Sequence, residues 1–355
     1  MVLSPRIALF ALVLMTSLVW ACGPKPHSPA TGAEAHPVGF PLVFGWDGIN
    51  SQMLMAYLVS DGPTGSAVDQ STYVFADNRW TRGSPAQTLP SLDGSRGLFV
   101  YDNELQRDLL VIAGPDGRTP SSANRGVWEW DGSNWEHIDT EHALGWFSQN
   151  ASVAYSPELS AIVLVDSGTL DGRTWLFDGR DWRRVTTIHA PDPYAHLGYD
   201  PRRHAVVALS LRTYETWQFD GQDWLLIAAK ASSGPSVITG MGRQAPAVGF
   251  DQTDSQWVVF GGSDGSDTFG DTWTGDGAMW TKRAPGKSPP RRVGLPGLAF
   301  MAWDQRRNSL LLFGGANAIR GTPNSLDYAD TWSWDGSNWL QLAGPTPPPA
   351  SSARL

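Results

Sequence analysis

The chain is nearly devoid of cysteine. Cys22 is the only one, so no internal disulfide holds the protein together and no thiolate metal cage can be built. Metal-protease and dithiol signatures are missing too: there is no H-E-x-x-H or C-x-x-C. Zincin and dithiol chemistry therefore have no basis in the sequence. Basic runs are absent, and 35 acidic residues against 26 basic ones leave a net charge of −9. That field discourages contact with nucleic acid or with an anionic membrane surface, and no nucleic-acid partner is expected. The apolar run from Ile7 to Trp20 is short for a membrane span.

What is present at the start is an export pattern. Residues 1–21 carry one charge, Arg6, ahead of that apolar run, as a signal peptide does. Val19-Trp20-Ala21-Cys22 resembles the lipobox of bacterial lipoproteins, in which cleavage before the Cys exposes it for lipidation. The resemblance implies that Cys22 carries the acyl chains (palmitate among them) and that the protein is anchored in the cell envelope, with the outer membrane favoured by Gly23. An acylated Cys also explains a lone thiol in an exported chain, since a free one would oxidise. Residues 22–41 are rich in Pro, Ala, Gly, Ser and His and read as a flexible tether. Residues 345–355 read as a disordered tail of similar composition.

Between these ends a cassette recurs: aromatic-x-x-Asp-Gly-x-x-Trp. It runs Trp128 to Trp135, Trp175 to Trp182, Trp217 to Trp224, Trp273 to Trp280 and Trp332 to Trp339, with a weaker copy from Tyr73 to Trp80. Trp128 and Trp130 stand two apart, on one face of a strand, and Asp-Gly then signals a turn into a return strand. The first copy has Ala76-Asp77-Asn78 at that place, and the fifth has Gly275 where others carry an aromatic. Before each cassette lies a second marker, an aromatic followed by Asp or Ser: Trp46-Asp47, Tyr101-Asp102, Tyr155-Ser156, Tyr199-Asp200, Phe250-Asp251 and Trp303-Asp304. A polar turn and an aliphatic run follow, such as Leu310 to Phe313, with the character of a buried strand. Gly261-Gly262 and Gly314-Gly315 end two of these runs, where positive φ or close backbone approach is expected. Each repeat thus yields strands A, B, C and D, and a period near 50 residues predicts an all-β, six-bladed β-propeller over residues 42–344, four antiparallel strands per blade. The repeated Trp residues are expected to pack between blades.

Together, the aromatic-Asp marker, basic turn, V-V-F-G-G, D-T-W and W-D-G-x-x-W resemble the Kelch repeat. The best copies are Ala247 to Trp280 and Leu298 to Trp339. The resemblance implies a propeller and says little about activity. Some Kelch-type propellers act on sugars, as oxidases or mutarotases. The copper Tyr–Cys cofactor of the galactose oxidase subgroup is not open to this chain, whose one Cys is at position 22.

Loop lengths locate the expected binding face. From marker to cassette takes 18 to 29 residues, whereas the turn inside the cassette never changes length. The variable B–C and D–A connections share one end of the blades, and function collects in loops on rigid scaffolds. The longest B–C loops, Ser60 to Ser71, Pro115 to Gly126 and Ala316 to Ala329, carry the candidate contacts Asp61, Asp69, Asp116, Arg118, Arg125, Arg320 and Asp327 for a protein or glycan ligand. No cofactor and no metal set is implied. Ser263 to Asp271 is rich in Asp but lacks the late Glu of a calcium loop. His137, Glu141 and His142 share a D–A loop without a third convergent ligand nearby in sequence. The expectation is a lipid-anchored, non-catalytic binding or scaffold propeller.

Overall fold

A computed structural model describes residues 40–343, apart from 61–67, 70–71, 88, 90–95, 114–125, 143–150, 167–172, 193–194, 230–233, 236–242, 295–298 and 318–327. The described residues form strands and no helix. Blade I comprises β1 (Phe40–Asp47), β2 (Gln52–Ser60), β3 (Val68–Asp69), β4 (Thr72–Ala76) and β5 (Arg79–Arg82); blade II comprises β6 (Arg96–Asp102), β7 (Arg107–Ala113), β8 (Gly126–Trp130) and β9 (Trp135–Ile138). Blade III holds β10 (Ser152–Ser156), β11 (Ala161–Asp166), β12 (Arg173–Phe177) and β13 (Trp182–Val185), and blade IV holds β14 (Ala195–Asp200), β15 (Ala205–Ser210), β16 (Thr216–Phe219) and β17 (Trp224–Ala228). Blade V has β18 (Ala247–Asp251), β19 (Gln256–Phe260), β20 (Thr272–Gly275) and β21 (Trp280–Arg283); blade VI has β22 (Ala299–Asp304), β23 (Ser309–Gly314), β24 (Thr331–Trp334) and β25 (Trp339–Ala343). Every blade is an antiparallel meander in chain order, with β3 attached to the far end of β2. The protein is a six-bladed β-propeller.

The first strands touch their neighbours all the way round, β1 to β6, β6 to β10, β10 to β14, β14 to β18, β18 to β22 and β22 back to β1, so they stand innermost. Among the described residues no strand is lent from one blade to another, and the seam between blades VI and I is closed by side chains. Phe44 stacks on Phe313 with centroids 6.1 Å apart, and Trp80 meets Phe313 edge-on at 5.4 Å. Arg307 of blade VI reaches Asn78 Oδ1 of blade I at 3.3 Å.

The apolar core is divided into wedges. Each buried cluster joins residues of two adjacent blades: Leu109 and Val111 with Ile162 and Trp182, for instance, or Leu311 and Phe313 with Met53 and Trp80. The closing Trp of each cassette fills the outer part of a wedge, and at four boundaries its indole N–H crosses to the preceding blade. Trp135 Nε1 donates to Thr72 Oγ1, Trp224 to Thr174, Trp339 to Thr272 and, across the seam, Trp80 to Thr331, at 2.8 to 3.0 Å. The acceptor stands one residue before the first aromatic of the preceding blade's cassette. Burying an indole contributes several kcal/mol before entropy, against about 1 kcal/mol for a hydrogen bond. Packing therefore supplies the energy, and the hydroxyl fixes how each ring sits. Two boundaries differ: blade II has Val127 at the acceptor position, and Trp280 donates to its own Gly277 carbonyl at 3.2 Å, leaving buried Thr216 Oγ1 unpaired.

The second marker works through its carboxylate. Asp47, Asp102, Asp200, Asp251 and Asp304 are all buried, and each accepts backbone N–H groups of its own A–B turn, such as Glu104 and Leu105 onto Asp102 Oδ1 at 3.0 Å. Ser156 does the same more weakly, from Leu159 N at 3.4 Å. This side-chain turn lets the last turn residue enter the left-handed region in every blade: Ser51, Gln106, Ser160, His204, Ser255 and Asn308 have φ of 48° to 54°.

The cassette Asp caps in the same way. Asp131 Oδ1 accepts Ser133 N and Asn134 N, both at 2.7 Å, so the hairpin has a four-residue loop. Its Gly132, at φ 91°, also has no room for a side chain: an added Cβ would lie 2.8 Å from Asn50 and 3.2 Å from Ile49 of blade I's A–B turn. The divergent first copy makes a tighter hairpin. Asp77 and Asn78 both take positive φ, 50° and 59°, the two-residue type I′ pattern, and the register of Phe75 opposite Trp80 matches that of Trp130 opposite Trp135.

One expectation is corrected. Ser60 to Ser71 is not wholly a loop, because β2 runs on to Ser60 and β3 folds back on it, pairing Val68 with Ser60 and Asp69 with Val59.

Candidate functional site

The antiparallel meander puts the A–B and C–D turns at one end of each blade and the B–C connections at the other. The turn end is locked. Asn50 Nδ2 of blade I donates to the Gly132 carbonyl of blade II at 3.0 Å, and Arg107 of blade II donates to the Gly179 carbonyl of blade III at 2.8 Å. A cleft of about 580 Å³ beside the latter contact is lined by Leu105, Arg107, Asp178, Gly179 and Arg180.

Of the sequence-named loop residues, Cys22, Asp61, Asp116, Arg118, Arg125, Arg320 and Asp327 lie outside the described residues. Asp69 is in β3, held by backbone pairing to Val59. The described parts of the B–C end are built by two buried arginines that the sequence reading did not single out. Arg243, ahead of β18, bonds the Gly261 carbonyl at 2.6 Å and grips Asp271 through both guanidinium NH2 groups, with Phe269 under its guanidinium at 4.5 Å. Arg292, ahead of β22, repeats this on Gly314, Asp330 (2.8 Å to both oxygens) and Tyr328. Burial pushes the Asp271 carboxyl up, but its bonds and charge contact with Arg243 outweigh this and hold it lowered. Trp273 and Trp332 donate to the same two carboxylates, so the Asp of D-T-W serves strand entry. The Gly pairs are required here: Gly261 has φ 67°, and a Cβ on it would meet the Arg292 carbonyl at 2.3 Å.

The calcium-like stretch is accounted for by local bonds as well. Asp264 Oδ1 accepts Ser266 N and Asp267 N at 2.9 and 2.7 Å, and Ser263 Oγ accepts Gly265 N at 2.9 Å. With Asp271 committed to Arg243, the acids of this loop do not converge on one point.

The D–A connections are pinned to the next blade's C–D turn, not only to their own end. Ala86 N bonds Asn134 Oδ1 at 2.6 Å, His142 N bonds Asp181 at 2.8 Å, Ile188 N and His189 N bond Asp223 at 2.9 Å, and Gly286 N bonds Asn338 at 3.1 Å. The receiving side chain is always the residue before the closing Trp. This device assembles a set that the sequence reading only half identified. Glu141 and His142 are joined by Asp181, their ligand atoms lying within 4.8 Å of one another, while His137 turns to Asp139 at 3.2 Å and packs edge-on against Trp128. Asp181 holds the His142 pKa up through a 2.5 Å bond and its charge, and His142 in turn holds Asp181 down. Asp181 was legible only as the variable residue before Trp182.

Between Asp47 and Asp108 there is a second unusual contact, a buried carboxyl pair. Asp47 accepts bonds from Asn50, Gln52 and Trp130. Asp108 stands where other blades carry Met53, Ile162, Val206, Trp257 or Leu310. Its Oδ1 accepts Gly48 N at 3.0 Å across the blade boundary. Burial first, and then the neighbouring Asp47, push its pKa up to about 9. Its Oδ2 meets no donor, which suits a carboxyl that carries the proton itself.

No family model matches the chain, and no curated protein matches it. Among solved structures the chain is similar to a structural genomics protein of unknown function from Bacteroides thetaiotaomicron, at 11% identity and a TM-score of 0.47, over 79% of this chain and 68% of that one. The chain's own strand order and ring contacts define it as a six-bladed β-propeller with four-stranded blades.

Proposed function

We propose that this protein is a non-catalytic binding or scaffold propeller of the Kelch type, tethered to the cell envelope through lipid on Cys22, that meets a protein or glycan ligand with its B–C and D–A loop end. One observation supports this most. At the turn end the blades interlock residue by residue through turns of nearly constant length, Asn50 on Gly132 and Arg107 on Gly179, whereas the connections at the other end differ widely in length. A rigid ring carrying variable loops at one end is a common arrangement for recognition. The buried Arg–Asp pairs and turn-capping carboxylates described above are all engaged in architecture, which agrees with a scaffold.

The test is capture of ligand from envelope extract by the full chain, comparing wild type with alanine replacements of Asp61, Asp116, Arg118, Arg125, Arg320 and Asp327. Loss of the captured species in the loop variants, with turn-end variants such as Leu105→Ala unaffected, supports the reading. Equal capture by all of them refutes it. Fatty-acid labelling that disappears in Cys22→Ser tests the anchor separately.

A further inference from the structure

We propose that Glu141, His142 and Asp181 form a binding site for a divalent transition metal ion, zinc in particular, at the boundary of blades II and III. Three ligand atoms of the types zinc takes, one imidazole nitrogen and two carboxylate oxygens, lie within 4.8 Å of one another. Three protein ligands with a fourth position left to water is a usual zinc arrangement. The backbone already holds them together, since His142 N bonds Asp181 Oδ1 at 2.8 Å. The ion takes the place of the proton shared by His142 Nδ1 and Asp181 Oδ2, which passes to solvent, as ligation of a neutral imidazole requires. Bound there, it clamps the D–A connection of one blade to the C–D turn of the next.

The propeller supplies its own control one blade further on. His189 and Asp223 repeat the geometry, with His189 Nδ1 2.9 Å from Asp223 Oδ2 and the backbone N–H bonded likewise. The residue before that His is Ile188, fully at the surface at 88% exposure, where Glu141 stands in the other copy. Asp223 also accepts Ile188 N at 2.9 Å, but among ligand-bearing side chains the third one is what separates the two copies.

The experiment is calorimetric titration of the full-length, untagged, chelator-treated chain with zinc chloride. Wild type is expected to bind with a stoichiometry of one at this site, and Glu141→Gln and Asp181→Asn to weaken that binding by more than about tenfold. Asp181→Asn leaves the loop cap in place, because Asn134 and Asn338 perform it natively in blades II and VI; unchanged melting temperatures without zinc confirm this. Ile188→Glu is expected to add a second equivalent of bound zinc. Absence of saturable binding by wild type, equal binding by Glu141→Gln, or a single equivalent in Ile188→Glu would each overturn the assignment.

Discussion

Replacing Thr331 by Val tests how the ring is closed. Thr331 is fully buried and its hydroxyl accepts the Trp80 indole N–H at 2.9 Å across the seam. Valine has nearly the same shape, so no cavity opens and the apolar packing of Trp80 on Phe75 and Phe313 is retained. What is lost is the acceptor, and a buried N–H without a partner costs about 1–3 kcal/mol. The same chemistry stands at Thr72, Thr174 and Thr272, so Val at any of the four should cost a similar amount. Thr331→Val combined with Thr174→Val, far round the ring, should be additive within about 0.5 kcal/mol. Thr216 is the contrast, because its buried hydroxyl has no partner; Thr216→Val should be neutral or stabilising. Urea unfolding followed by tryptophan fluorescence and far-UV dichroism measures this, with an unchanged m-value marking a pure stability effect. The reasoning fails if Thr331→Val unfolds at the wild-type midpoint, or if Thr216→Val is as costly as the other four.

Val127→Thr supplies the acceptor that blade II lacks opposite Trp182 and should raise stability by about 0.5–1.5 kcal/mol in the same unfolding assay. Asp108 binds its proton more tightly folded, near pH 9, than unfolded, near 3.8, so its contribution to stability is fully present below the unfolded value and drains away as pH rises towards 9. Asp108→Asn, which keeps an acceptor for Gly48 and offers a donor to Asp47, should flatten the fall in melting temperature over that window and be the more stable protein at its alkaline end. Arg292→Met strands the Asp330 carboxylate in the interior and should cost about 3–5 kcal/mol, read as a shift in urea midpoint.

The repeat was legible because it is made of residues whose local roles do not depend on distance. An Asp that caps its own turn and a Gly that takes positive φ declare themselves at fixed spacing, and from them the strands and blade number follow. Even the weak first cassette reads correctly once Asp77-Asn78 is recognised as a two-residue turn. Thr72, Thr174, Thr272 and Thr331, each just before a first aromatic, were equally visible, yet their meaning depends on a Trp 50 to 67 residues away in the next blade, or 251 across the seam, and no local pattern carries that. The same holds for Asp181, 39 residues from His142, brought in by blade packing. His137 seemed a better partner by proximity, but strand β9 ends between it and His142, and its ring is taken up by Trp128. The pairing of β3 with β2 was missed because two residues give too short a pattern to display alternation.

Each sheet is spun from one unbroken stretch of chain, and the junction of the last with the first uses the same indole-to-hydroxyl link found at three other boundaries. Chain order alone thus marks that junction out from those three. Circular permutants opened between any two blades, with residues 343 and 40 joined by a linker, should rebuild the same hexagon with its notch displaced.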